Sequence, residues 1–205
     1  MNKKYELTDE TKEIGGITLH RIRALRNIPR YGVRSGDLGG WIEAESNLSQ
    51  YDDAWVGGDA WVYGNARVYG DARVYGEACV NGDAWVCDDA KVYGEALVYE
   101  DAKVYGDAKV YGEALVNGNA EVSGNAEVKS IRDYAVFKNG WSSGRWFTYT
   151  RSNRMWRVGC FHGTGEELIA KAYKDSELSG KCYEAIVRVQ EAIDRAIDEK
   201  EGDTK

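Results

Sequence analysis

The sequence is poor in the side chains from which metal and disulfide sites are built. It has two histidines, His20 and His162, which are too few for a histidine-rich metal site within one chain. Its four cysteines show no C-x-x-C spacing, and in a chain without an export signal they are expected to be free thiols. We therefore expect no metal and no cofactor.

Long apolar runs and an excess of basic residues are also absent. No apolar run reaches the roughly 18 residues that a membrane span requires, and the first residues lack the apolar stretch of a signal peptide. A net charge of −7 argues against general nucleic-acid binding. We expect a cytoplasmic protein that does not insert into a membrane.

The net charge hides a segregation along the chain. Residues 50–129 hold 15 acidic and 6 basic residues, whereas residues 131–162 hold 6 basic residues and a single acidic one. The basic residues of the second stretch are Arg132, Lys138, Arg145, Arg151, Arg154 and Arg157. A basic patch in an acidic protein indicates a local anionic partner.

What the sequence has in abundance is a repeat of six residues. Valine recurs every six residues from Val56 to Val128, and alanine stands two positions before each valine, from Ala54 to Ala126. In the unit Ala-x-Val-x-Gly-Asp/Asn/Glu, strand alternation places alanine and valine on one face and the two variable residues on the other. The glycine and the polar residue after it supply a tight corner. An α-helix is excluded, because this period would spread valine around its surface.

Three such units close a triangular coil with alanine and valine pointing inward. The pattern resembles the hexapeptide-repeat superfamily, whose units carry an aliphatic residue and a small residue four positions later. The resemblance implies a left-handed parallel β-helix, usually assembled as a trimer. The predicted fold class is mainly β, a triangular left-handed parallel β-helix with three six-residue units per coil and a small C-terminal α+β element.

The predicted organisation has three parts. Residues 1–41 form a strand-rich N-terminal cap, residues 42–130 form the β-helix, and residues 131–205 form a small sheet followed by two helices. Ile42 and Leu48 fall in the alanine register, which predicts a degenerate first coil.

The pattern changes after Val128. Strands are predicted at residues 134–138, 146–150 and 155–161. A capping-box spacing at residues 164–167 opens a short helix, and a second helix is predicted over residues 181–199. The apolar positions of the second helix that recur at helical spacing, and are therefore expected to pack inward, are Ile186, Val189, Ile193 and Ile197.

Folding the repeat at three units per coil sorts the outward side chains into three columns. One is an apolar strip of Trp61, Cys79, Leu97 and Leu115, which predicts either an oligomer contact, with a trimer favoured, or a packing surface for the C-terminal helix. The other two combine basic residues with tyrosines and predict either a grip on a phosphate and a base or a solvated surface. Their candidate residues are Arg67, Tyr69, Arg73, Tyr75, Lys91, Tyr93, Lys103, Tyr105, Lys109 and Tyr111.

The basic segment after the repeats is the main candidate site. Guanidinium groups, aromatic side chains and a helix N-terminus within one short stretch predict a phosphate or nucleotide pocket. The alternative is a small sheet with arginines on its solvated face. The candidate ligand-binding residues are Arg145, Trp146, Arg151, Arg154, Trp156, Arg157, His162 and Thr164.

Motifs in the flanks resemble a group of phage and prophage proteins. The resemblance lies in residues 21–25 (RIRAL), residues 36–41 (GDLGGW), the Ala-x-Val repeats and residues 159–167 (GCFHGTGEE). It implies a phage-related origin, and so the cytoplasm of a host cell. It brings no active site.

Catalysis is not expected. Acyltransferases of the hexapeptide-repeat superfamily look to need a histidine base near a subunit boundary, and the related carbonic anhydrases need three histidine ligands, whereas these repeats contain no histidine. Two non-catalytic hypotheses remain. In the first, the chain is an oligomeric protein that binds a small anion, and its most specific version is a phage counter-defence protein that sequesters a nucleotide immune signal. In the second, the chain is a rigid structural or protein-interaction module. An acyltransferase is the remaining enzyme alternative.

Overall fold

The computed structural model describes residues 3–202. The chain divides into two compact units, Met1–Tyr134 and Ala135–Lys205. The N-terminal elements of the first unit are β1 (Tyr5–Ile14), β2 (Ile17–Ala24) and β3 (Leu38–Ile42), with short 3-10 helices at Pro29–Tyr31 and Glu45–Asn47.

Two-residue strands, one for each six-residue repeat, form the body of the first unit. They are β4 (Trp55–Val56), β5 (Trp61–Val62), β6 (Arg67–Val68), β7 (Arg73–Val74), β8 (Cys79–Val80), β9 (Trp85–Val86), β10 (Lys91–Val92), β11 (Leu97–Val98), β12 (Lys103–Val104), β13 (Lys109–Val110), β14 (Leu115–Val116), β15 (Glu121–Val122) and β16 (Glu127–Val128). Every third strand belongs to the same parallel sheet, which gives the sheets β5-β8-β11-β14, β4-β7-β10-β13-β16 and β6-β9-β12-β15.

Paired residues in each sheet are three repeat units apart, as Leu97 and Leu115 are. The alanines and valines of the repeat point inward, and Val68, Val86 and Val104 are at most 1% exposed. The predicted fold class, a mainly β triangular solenoid with a small C-terminal α+β element, is confirmed.

The corners of the triangle depend on a left-handed backbone conformation. Gly82 has a φ of +69°, and a Cβ added there would lie 2.7 Å from the backbone nitrogen of Glu100 in the next coil. Asp88 and Glu100 replace glycine at two corners and adopt the same conformation, with φ values of 57° and 60°. Each carboxylate accepts a hydrogen bond from a backbone N–H one coil further on, from Gly106 and Gly118 respectively. These hydrogen bonds offset part of the cost of a non-glycine residue in this conformation.

The first coil departs from the predicted register. β3 pairs in parallel with β5 so that Ile42 lies opposite Val62, and Leu48 forms a bridge with Val68. Ile42 and Leu48 therefore occupy valine positions, and the prediction that they fall in the alanine register was wrong. The reason is that the first coil is two residues longer than the others, with the additional residues between Leu48 and Val56.

The N-terminal hairpin covers the open edge of the first coil. β2 pairs antiparallel with β3 and so extends the sheet that contains β5. The Asn47 amide donates to the carbonyl oxygens of Gly64 and Ala66, both at 2.9 Å. The buried Lys4 ammonium donates to the carbonyl oxygen of Ala54 at 2.6 Å. Strand edges that would otherwise invite association are thereby occupied.

The second unit combines a small antiparallel sheet with two helices. Its elements are β17 (Tyr134–Lys138), β18 (Trp146–Thr150), β19 (Met155–Val158), β20 (Phe161–Gly163), α1 (Gly165–Asp175) and α2 (Glu177–Gly202). The sheet order is β17-β18-β19-β20. The strand predicted over residues 155–161 is divided into β19 and β20, because Gly159 turns the chain with a φ of +57°. The core between sheet and helices contains Phe147, Tyr149, Trp156, Val158, Leu168, Ile169 and Val187.

The inward face of helix α2 agrees only in part with the prediction, since Ile186 packs against the core as predicted. Val187, Gln190 and Asp194 are buried, whereas Val189 and Ile193 are 53% and 45% exposed. The prediction that Val189 and Ile193 pack inward was wrong. The polar pair can occupy the inward face because Gln190 Nε2 donates to Asp194 Oδ1 at 3.0 Å. No helix within residues 3–202 is long and apolar enough to cross a bilayer.

Candidate functional site

The residues predicted to form an anion pocket lie on both faces of the C-terminal sheet. Cross-strand pairing places Arg157 opposite Thr148 and His162, and Trp156 opposite Tyr149. Because successive strand residues point to opposite faces, Arg157 and His162 lie on one face and Trp156 lies on the other. Trp156 is buried in the core of the unit. The structure therefore does not bring Trp156 together with Arg157 and His162.

Two of the predicted arginines face a carboxylate of α2. Arg151 and Arg154 both form ion pairs with Asp198. Nearby, the Tyr149 hydroxyl donates a hydrogen bond to Asp194. Burial raises the pKa of Tyr149, and this hydrogen bond adds to the effect. The positive charge that the sequence offers to an anion is thus partly neutralised within the unit.

These groups surround a cavity of about 360 Å³ where the sheet meets α2. Its lining includes the guanidinium groups of Arg154 and Arg195, the aromatic rings of Tyr149 and Trp156, and the carboxylates of Glu191, Asp194 and Asp198. Two of the predicted anion-binding residues, Arg154 and Trp156, line this cavity. Its carboxylates nevertheless outnumber its guanidinium groups.

The carboxylates of Glu166 and Glu167 lie in the first turn of α1. The Thr164 hydroxyl accepts a hydrogen bond from the Glu167 backbone N–H, and the Glu167 carboxylate accepts one from the Thr164 N–H at 2.8 Å. Hydrogen bonds from Thr164 lower the pKa of Glu167, and a hydrogen bond from Arg188 lowers the pKa of Glu166. These side chains use the positive end of the helix that Thr164 was predicted to offer to a phosphate.

The two remaining residues of the predicted pocket lie at the start of β18. Arg145 and Trp146 are both exposed, and Lys138 Nζ lies 5.1 Å from the centre of the Trp146 ring. Within residues 3–202 the structure brings together no group of three or more His, Cys, Asp or Glu side chains that could hold a metal ion.

The apolar strip of the first unit is covered at one end by the chain itself. The Lys12 ammonium, from the N-terminal hairpin, lies 4.4 Å from the centre of the Trp61 ring, and Cys79 is buried. Leu97 and Leu115 pair side by side and are each 36% exposed. The exposed part of the predicted strip is reduced to these two leucines.

One basic column contains a ladder of tyrosine rings. Tyr75, Tyr93 and Tyr111 stack with ring centres 4.9 and 5.1 Å apart and planes within 8° of parallel. Arg73 lies over the Tyr75 ring, and Lys109 pairs with a glutamate of the next coil. The rings cover one another's faces, so this column leaves no gap into which a flat ligand could insert.

The other basic column contains a cavity of about 470 Å³. Its walls are Arg67, Tyr69, Trp85 and the hydroxyl-bearing residues Ser46 and Ser49. The indole of Trp85 is 41% exposed, and the Tyr69 ring meets it edge-on at 6.4 Å. The cavity exists because a 3-10 helix and a single bridge replace a regular strand in the coil before β6.

Arg67 differs from Lys103, the other basic residue of its column. Lys103 lies 5.6 Å from the Trp85 ring centre but is held by Glu121 at 3.2 Å. Arg67 forms no ion pair and no hydrogen bond through its side chain with any residue between 3 and 202. It therefore presents an uncommitted guanidinium group beside an exposed indole.

A comparison with protein families recognises residues 60–76, which begin just before β5 and end just after β7. They match the family model described as the YdcK β-solenoid repeat. The chain thus contains a β-solenoid repeat. No curated protein matches the sequence. The stretch matched by the β-solenoid repeat includes Arg67 and Tyr69 but not Trp85.

Two sets of site residues were not predicted from the sequence. Ser46, Ser49 and Trp85 join Arg67 only because the irregular first coil opens a cavity there, and an exposed tryptophan in a basic column was the available signal. Asp194 and Asp198 lie more than 40 positions after the residues they contact, so spacing along the sequence could not reveal them.

Proposed function

We propose that this chain is a non-catalytic binding protein that captures a small planar anion of the nucleotide type. The observation that carries the proposal is the free Arg67 guanidinium in a cavity walled by Trp85 and Tyr69. A cavity of about 470 Å³ lies within the range of roughly 300–1,000 Å³ that is typical of small-molecule sites.

The chemistry of the cavity supports this ligand class. An exposed indole offers a flat apolar face on which a base can stack, and base–aromatic stacking tolerates different bases. A guanidinium group binds phosphate through paired hydrogen bonds. Ser46 and Ser49 add hydroxyl groups that can donate to a ribose or phosphate oxygen. The predicted site after the repeats is less favourable, because Asp198 pairs with Arg151 and Arg154.

We further propose a phage origin and self-association for this protein. Because motifs in the flanks resemble those of phage proteins, we propose that the ligand is an immune signal of the host cell, which a counter-defence protein would sequester. We also propose self-association, with a trimer favoured, through Leu97 and Leu115, since these exposed leucines face outward from one sheet. The same pair supports the second candidate function, a rigid protein-interaction module.

Calorimetric titration tests the proposed ligand class. Adenosine monophosphate, its 3′,5′-cyclic form and cyclic dinucleotides would be titrated into the wild type, Arg67→Gln and Lys91→Gln. Lys91 is the matched control, because it occupies the same outward position on another face and is exposed. At least one probe should bind, with roughly 10- to 100-fold weaker binding to Arg67→Gln and unchanged binding to Lys91→Gln. Absence of heat with every probe, or equal binding to both variants, would refute the proposal.

The mass of the intact assembly tests self-association separately. Native mass spectrometry of the wild type should show an oligomer, and the double change Leu97→Glu with Leu115→Glu should convert it to a monomer. A wild type that is already monomeric would remove the trimer from the proposal without affecting the ligand site.

A further inference from the structure

Helix α2 carries an apolar stripe that faces away from its own unit. Three of its large side chains, Leu178, Val189 and Ile193, are 61%, 53% and 45% exposed. At 3.6 residues per turn the stripe covers roughly 100° of the helix surface, and no charged residue interrupts it. Its members are Leu178, Cys182, Ala185, Val189, Ala192, Ile193 and Ala196.

The other sides of α2 are covered by its own unit. Val187 lies in the core, and the buried Asp194 accepts a hydrogen bond from the Tyr149 hydroxyl of β18. On the neighbouring side, the Tyr173 hydroxyl of α1 donates to the Glu184 carboxylate at 2.8 Å. The sheet and α1 therefore leave the stripe open.

The spacing of the stripe is that of a seam between two helices. Its central residues are separated alternately by four and three positions, as in a coiled coil, where side chains of one helix insert between those of another. The alanines beside this seam let a second helix approach closely. The seam residues are Cys182, Ile186, Val189, Ile193 and Ala196.

The charge of α2 argues against a membrane surface as the partner. Residues 177–202 hold seven acidic and four basic residues. Helices that lie on anionic lipid are rich in lysine and arginine on their polar face. A helix with net negative charge is repelled from such a surface.

The charges at the edge of the stripe are instead complementary to those of a second α2. Lys181 and Glu199 are both exposed and lie on the same edge, near opposite ends of the stripe. In an antiparallel pair related by a twofold axis near Val189, Lys181 of each copy lies opposite Glu199 of the other. A parallel pair would instead place each lysine beside its equivalent. Within its own chain Lys181 contacts only the exposed Glu177, in a surface pair that contributes little.

We propose that α2 pairs antiparallel with α2 of a second copy of this chain through the apolar stripe. Two helices in contact over about five turns form a small interface, below roughly 1,200 Å² in total, of the kind found in transient complexes. The dissociation constant should be on the order of tens of micromolar, so the pair separates at low micromolar concentration. This contact is distinct from the proposed trimer contact, which uses Leu97 and Leu115 of the first unit.

Sedimentation equilibrium of the full chain tests the pairing. The background variant Leu97→Glu with Leu115→Glu removes the other proposed contact, and glutamate already occupies the equivalent outward position in β15 and β16. Between about 2 and about 300 µM this protein should show a monomer–dimer equilibrium. Adding Val189→Glu should weaken dimerisation at least about 10-fold, because each dimer would bury two unpaired carboxylates. Ile131→Glu is the matched control, since Ile131 is 64% exposed and lies outside α2, and it should leave the equilibrium unchanged.

Exchanging two charges tests the antiparallel orientation. Lys181→Glu should weaken dimerisation about 3- to 10-fold, because it places like charges opposite each other, and adding Glu199→Lys should restore it. Circular dichroism and the urea midpoint would confirm that each variant folds. A monomer at every concentration, a dimer that folded Val189→Glu leaves intact, or a charge exchange that dimerises no better than Lys181→Glu alone would overturn the proposal.

Discussion

Corner residues of the solenoid are subject to two constraints, a left-handed backbone and close contact between coils. Gly82 and Gly16 both have positive φ, but only Gly82 is crowded, since an added Cβ at Gly16 would meet nothing within 4 Å. Gly16→Ala should therefore cost only the conformational penalty of about 1 kcal/mol. Gly82→Ala should cost about 3 kcal/mol because the Glu100 backbone must also move. Urea denaturation of both variants measures the difference, and equal losses would contradict the close contact between coils.

Burial of Lys4 predicts a dependence of stability on pH. Desolvation lowers the pKa of Lys4 from 10.5 to about 8, although Asp52 acts in the opposite direction. The unfolded chain therefore binds this proton more tightly than the folded protein does, and stability rises as the pH increases from about 8 towards 10.5.

The variant Lys4→Met isolates this effect from the titration of other groups. Relative to Lys4→Met, the wild type should gain about 2 kcal/mol of unfolding free energy between about pH 7.5 and pH 9.5. Urea denaturation at both pH values provides the measurement. Parallel pH profiles for the two proteins would show that the ammonium is not desolvated.

Helix α2 shows why a periodic apolar pattern does not determine which face is buried. Val187 lies in the core, whereas Val189 projects from the opposite side of the same turn. Val187→Ala should destabilise the second unit by about 2 kcal/mol, because it leaves a cavity among packed side chains. Val189→Ala should change stability by less than about 0.5 kcal/mol. Thermal unfolding of both variants decides the assignment, and a larger loss at Val189 would restore the face predicted from the sequence.

The β-solenoid was predictable because one short period repeats without interruption. Alternation around each valine determines which side chains point inward. Closure of a coil after three units then determines which outward residues stack, and it places Lys103 beside Glu121. The first coil was not predictable to the same degree. Its two additional residues lie in a loop after Leu48. The sequence does not indicate where this loop leaves the regular path of the coil.

The candidate sites were less predictable than the fold for a related reason. Arg151 and Arg154 looked like free cations because Asp198 is distant in sequence, and only the packing of α2 brings its carboxylate to them. From the sequence, Arg67 is one member of a regular column. Only the structure shows that the irregular coil before it leaves a cavity that Arg67 lines. The proposed ligand site lies where the regular pattern ends, and periodicity contains no information about such places.

The whole solenoid should tolerate the loss of one complete turn. Deleting residues 91–108 joins Ala90 to Lys109 and preserves the inward pattern, because strands three repeat units apart are equivalent. The shortened protein should fold cooperatively with a smaller free energy of unfolding, since solenoid stability accumulates coil by coil. Deleting only residues 91–99, one and a half units, should prevent folding of the following coils, because it places corners against strands. Circular dichroism and denaturation of both proteins test this, and equal behaviour would argue against closure of a coil by every three units.

The proposed function depends on a small planar anion resting on Trp85 and held by Arg67. Native mass spectrometry, applied to protein purified from cells challenged with phage and to the same protein after addition of nucleotides, tests this most directly. We predict an excess mass of nucleotide size on the wild type that is absent from Arg67→Gln. A wild type that retains its bare mass in every sample, or an Arg67→Gln variant that keeps the same excess mass, would contradict the account.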